Sequence, residues 1–189
     1  MDGMQMIKKL YHGTIIYYEE PDLAEAADFK DFGRGYYLTT NESQAARWAI
    51  RYLKDNDLND TAYVYEYEFD TDNTKNLKTL ELLVYNKEWL DFIAYNRTTK
   101  ERDIQYDLVF DRMADSRGNI LTKAIRDYIN KKKTAAETLA IAKFRDNDMN
   151  QYCFKTKEAL DKIKRTRYTE VYRLNGNPKS KHWYKMEVK

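Results

Sequence analysis

At 189 residues, with 42% apolar and 34% charged side chains, two Pro and six Gly, the chain is long enough for one core and cramped for two, which excludes fibrous and disordered classes. No stretch approaches the roughly 18 apolar residues of a membrane span, Met1 to Leu10 has no apolar run of a signal peptide, and one cysteine with two histidines excludes an internal disulfide and leaves too few ligands for structural zinc. The net charge of +2 hides a basic end, 11 basic and 4 acidic residues from Lys155 to Lys189 against 22 and 27 before it, a balance that attracts nucleic acid or an acidic partner if it is more than a solvated surface.

In chain order, Leu10 and Tyr11 toward Ile15, Ile16 and Tyr17 read as a strand, with His12-Gly13-Thr14 inside it. Asp31-Phe32-Gly33-Arg34-Gly35 is a glycine-punctuated turn that delivers a short strand, Tyr36 to Thr40. Asn41 and Gln44 form a capping-box pattern, and Ala45, Trp48, Ala49 and Tyr52 recur at helical spacing, which aims that face inward. Tyr63 to Phe69 alternates at period two, with Glu66 and Glu68 on one side facing solvent. Helices are predicted over Lys87–Tyr95, Leu121–Asn130 and Ala135–Arg145, the apolar run Tyr106–Phe110 lying between the first two. Lys131 to Lys133 reads as a helix end. Gln151 to Phe154 is a strand, Thr156 to about Ile163 a helix, and Tyr168–Leu174, the turn Asn175 to Pro178 and His182–Val188 a hairpin. The order lacks a βαβα rhythm, so the fold class is α+β. We expect a single domain over 1–189, in the cytoplasm, ending in a basic hairpin extension at about 166–189.

Three stretches carry a resemblance. Leu10-Tyr11-His12-Gly13-Thr14 resembles the histidine strand of the ADP-ribosyltransferase superfamily. Phe32-Gly33-Arg34-Gly35-Tyr36-Tyr37-Leu38 resembles its Phe-Gly-x-Gly-x-Tyr segment. Asn150-Gln151-Tyr152 opens a late strand where the superfamily has its third catalytic residue. Residues 7 to 165 look most like a bacterial group of uncharacterised domains in that superfamily. The resemblance implies a split antiparallel β-sheet core with surrounding helices, and NAD+ as co-substrate without a metal. It implies that His12 bonds an NAD+ ribose hydroxyl, that the Gly13 backbone pairs with the nicotinamide amide, and that Tyr37 stacks on its ring. Thr14, Arg34 and Gly35 join the cofactor site, and Trp48, eleven residues after Tyr37, stands where poly(ADP-ribose) polymerases have a second stacking aromatic. Ala45 replaces a serine of that branch, and Phe110-Asp111-Arg112 stands where the resembling group tends to have Gly-Pro.

The chemistry explains the residue types: breaking the nicotinamide–ribose bond calls for fixed hydrogen bonds and aromatic walls around an oxocarbenium-like state. Gln151, the third catalytic candidate, can bond a hydroxyl but carries no charge and cannot act as a base. The pair Glu66 and Glu68 comes too early in the chain for that position, while Glu158 and Glu170 stay open as alternatives. The resemblance implies a mono-ADP-ribosyltransferase acting on a macromolecule, protein by default, as a toxin or conflict-system effector with a neutralising antitoxin. Two alternatives are modification of nucleic acid, suggested by Tyr168, Tyr172, Trp183 and Tyr184 in the basic end, and a catalytically silent module binding NAD+ or a partner.

Overall fold

The computed structural model describes residues 6–100, 104–112, 120–143 and 150–185. The chain runs β1 (Ile7–Thr14), β2 (Tyr36–Thr39), α1 (Glu42–Ala49), β3 (Thr61–Asp70), β4 (Thr79–Leu82), α2 (Lys87–Thr98), β5 (Leu108–Arg112), α3 (Ile120–Ile129), α4 (Ala135–Lys143), β6 (Asn150–Phe154), α5 (Lys157–Leu160), β7 (Ile163–Leu174) and β8 (Asn177–Lys185). This is a mixed α+β fold. Among the described residues no helix is long and apolar enough to cross a membrane. The chain divides into two compact units, residues 1–21, 37–76 and 158–189, and residues 22–36 and 77–157.

The first unit is an antiparallel ladder in the order β2-β1-β3-β7-β8. The helix α1 covers one face of it, and Gly13 sets how closely. A Cβ there would stand 1.9 Å from the Ala45 carbonyl oxygen, so the helix rests on bare backbone. Only small residues fit at that distance, and Ala45, Ala46 and Ala49 are the buried side of α1, packed with Ile50, Leu53, Ala62, Val64 and Val171. The predicted inward face is therefore corrected: Trp48 is 54% and Tyr52 73% exposed. The N-cap is as expected, the Asn41 side chain accepting from the Gln44 amide at 3.0 Å.

Three boundaries differ from the sequence reading. The first strand ends at Thr14, and Ile15 to Tyr17 leave it. The helix after Thr156 stops at Leu160 because Ile163 already pairs with Phe69. The C-terminal turn is tighter than expected, two residues with Asn175 at φ 49° and Gly176 at φ 76°, the left-handed pair that matches strand twist in a two-residue hairpin. The expected ends of the Ala135–Arg145 helix and the His182–Val188 strand fall partly outside the described residues.

In the second unit β4 joins β5 in parallel and β5 pairs β6 antiparallel. Trp89, Leu90 and Ile93 of α2 and Leu121, Ala124 and Ile125 of α3 are buried. The Asn86 side chain caps α2. The lysine run ends α3, Lys131 taking φ 58° while the Lys132 and Lys133 amides donate to the Asp127 carbonyl.

Candidate functional site

His12 lies on β1 on the face opposite α1, and its Nδ1 is 2.7 Å from the Tyr37 carbonyl oxygen. A carbonyl only accepts, so Nδ1 carries the proton and Nε2 presents a lone pair. The ring is half-buried, and the protein packed around it strips hydration from the imidazolium. Burial lowers its pKa from 6.5 to about 4, against the opposing pull of the Tyr37 carbonyl. At neutral pH His12 is thus a neutral, oriented acceptor, suited to a hydroxyl donor. The same bond ties β1 to the strand of the Phe-Gly-x-Gly-x-Tyr segment across 25 residues. On β2, Tyr36 is buried and Tyr37 half-buried, and Thr14 Oγ1 accepts from the Ile16 amide at 3.2 Å.

Trp48 stands on the solvent side of α1, with the Arg51 guanidinium 5.1 Å from its ring centroid. Arg34, Gly35 and Gln151 belong to the second unit. Arg34 Nη2 donates to the Ala24 carbonyl at 2.8 Å and to that of Leu23 at 3.3 Å. A Cβ on Gly35 would meet Cys153 Sγ at 2.3 Å, so that glycine too marks a close approach. Arg34 and Gly35 line a cleft of about 510 Å³ with Lys155 and Lys157, and Asp28 Oδ1 stands 3.9 Å from Arg34 Nε. The Lys155 ammonium donates to the Phe32 carbonyl. A cleft of similar volume along Ala94, Tyr128 and Lys131 holds none of the expected residues. Gln151 pairs with Asp111 across β5 and β6.

The solvent-facing reading of Glu66 is overturned: the residue is 2% exposed. It shares one row with Tyr11 and Arg167. Arg167 Nη2 donates to Glu66 Oε2 at 2.6 Å and Thr166 Oγ1 to Oε1 at 3.0 Å, with Lys9 Nζ 3.5 Å away. Burial pushes the carboxyl up, but the bonds from Arg167 and Thr166 and the charges of Arg167 and Lys9 outweigh it and hold Glu66 below its ordinary value. Glu68, on the same side, is half-buried. Arg167 lies over the Trp183 ring at 4.3 Å. The carboxylate is occupied in holding the ladder together.

Sequence reasoning missed what shares the His12 face. The register puts His12, Tyr65, Tyr168 and Tyr184 in one row across β1, β3, β7 and β8. Tyr18 packs on Tyr65 at 4.6 Å and lies 6.3 Å from the imidazole. The signal was the period-two recurrence of tyrosine in Tyr63-Val64-Tyr65-Glu66-Tyr67, which fixes a face but not its neighbours.

A family model described as "Protein of unknown function (DUF3990)" matches residues 8–165. No curated protein and no solved structure matches the chain. The match spans most of the 189 residues, and the chain belongs to that family.

Proposed function

We propose that this chain is a mono-ADP-ribosyltransferase that cleaves NAD+ and passes ADP-ribose to a macromolecule, and that its fold is of the ADP-ribosyltransferase type. The observation that carries the reading is the neutral His12, its Nδ1 proton committed to the Tyr37 carbonyl. That tautomer makes Nε2 an acceptor in kind, which is what a ribose hydroxyl needs. An imidazolium would offer only donors and would repel the positive charge that gathers on the ribose as the bond to nicotinamide breaks. In that step nicotinamide leaves with the bonding electron pair, and the acceptor's nucleophile supplies a lone pair to C1′ and gives up its proton. Tyr37 serves as the stacking wall. Gln151 is the residue offered for the third position, able to orient a hydroxyl without charge.

NAD+ affinity separates the role of the ring from that of its hydroxyl. Tyr37→Phe keeps the aromatic face and should bind within about three-fold of the parent, while Tyr37→Ala loses it and should weaken binding about ten-fold or more. Isothermal titration of both variants, with melting curves to confirm folding, checks this. Parent-like affinity in a folded Tyr37→Ala protein would remove Tyr37 from the site.

A further inference from the structure

We infer that the face of the first unit opposite α1 binds single-stranded nucleic acid at its outer part, on Tyr17, Tyr168 and Tyr184. On this face Leu10, Tyr65 and Tyr67 are buried, whereas Tyr17, Tyr168 and Tyr184 beyond them keep accessible surface. Tyr168 and Tyr184 stack at 5.1 Å and 23°. Tyr17 meets Tyr63 and Tyr168 edge-on at 5.4 and 5.5 Å, and His182 stands edge-on to Tyr184 at 5.5 Å. The outer members stay open, Tyr17 46% and Tyr184 39% exposed. The fully buried Tyr65 lies between this patch and His12.

Charge selects the occupant. On this face β7 and β8 carry Arg165, Lys179 and Lys181 against one carboxylate, Glu170, while Lys164, Arg167 and Lys185 share the Glu66 side. Glu170 is already paired, its Oε2 2.9 Å from Lys181 Nζ. Lys179 is exposed on the β8 edge, and Arg165 lies over Tyr65 at 5.2 Å. Flat rings interleaved with cations match a polyanion that also presents flat rings. An acidic polypeptide would use the lysines and leave the ring faces idle, and a duplex keeps its bases stacked inside. As a ligand the single strand stands independently of the transferase reading; as an ADP-ribose acceptor it rests on that reading.

The test is anisotropy of a fluorescein-labelled oligothymidine of roughly 15 nucleotides, titrated with the full chain without NAD+ at about 50 and 200 mM salt. The parent should bind, more weakly at the higher salt. Tyr17→Ala combined with Tyr184→Ala should weaken binding about ten-fold or more with the salt slope kept. Lys179→Gln should weaken it less and lower the slope by about one. Both replace exposed side chains, and melting curves check that folding is retained. Absence of binding at the lower salt, or a folded double tyrosine variant that binds like the parent, would overturn the assignment. So would equal competition by a duplex or by polyglutamate, the latter pointing to an acidic protein partner. Oligonucleotide binding with no turnover of NAD+ would leave this surface standing and remove the transferase.

Discussion

Two titratable side chains shifted by burial respond to pH with opposite signs. His12 titrates at about 4 in the folded chain and near 6.5 when unfolded, so protonation favours unfolding, and the stability it contributes is lost as pH falls from 6.5 to 4. Asp111 is pushed up from 3.8 to about 8 by burial, with the charge of Asp31 adding and the Trp89 bond opposing. Trp89 Nε1 donates to Oδ2 at 3.0 Å, while Oδ1 has no partner among the described residues. Its protonated form belongs to the fold, so stability present below 3.8 is lost as pH rises to about 8. Asp111→Asn keeps the acceptor for Trp89 and cannot ionise. It should raise stability at pH 8 by more than about 1 kcal/mol, some 2–4 °C in Tm, and flatten the decline between pH 5 and 8. Melting curves across that range check this; a parallel decline in the variant would place the ionised carboxylate comfortably in the fold.

At the scale of elements, legibility in the sequence followed how local the deciding force was. The alternation of β3, the Asn41 cap and the helices α2 to α4 came through within a few residues, since periodicity and capping are written locally. The Ile163–Arg167 stretch was missed because its strand depends on β3, about a hundred residues earlier, and a distant partner overrides local preference. Trp48 and Tyr52 were misplaced because helical spacing marks an apolar face but not which part of it a neighbour can reach. That limit is set by Gly13. Gly13→Ala puts a methyl into the Ala45 carbonyl at 1.9 Å, backbone against backbone, and should cost about 3 kcal/mol or more as α1 is pushed off the ladder. Chemical denaturation measures this, and a loss under about 1 kcal/mol would mean that α1 rests there loosely.

For the whole molecule, the order of elements indicated a mixed α+β chain and the charge count a basic end, and the structure gives that end a form: most of it is the β7–β8 pair, with β7 joined along β3. The motifs put His12 and Tyr37 forward, but their hydrogen bond, the tautomer it fixes and the tyrosine row depend on long-range register that spacing does not encode. Glu66 shows the converse, since the alternation of β3 suggested solvent for it, while in the structure Arg167 reaches it from the far end of the chain. If the transferase acts inside cells as an effector, expressing the chain in bacteria should slow growth while His12→Ala at equal level should not. Growth curves at matched expression decide this, and equal growth would remove the toxin reading.

The proposed transferase stands or falls with the part of His12 in NAD+ chemistry. Nicotinamide release from NAD+ by the purified chain, alone and with a lysate supplying acceptors, tests it most directly when measured beside a folded His12→Ala variant. The parent should release nicotinamide, and release should fall about ten-fold or more in the variant. No release by the parent under either condition, or equal release by both proteins, would contradict it.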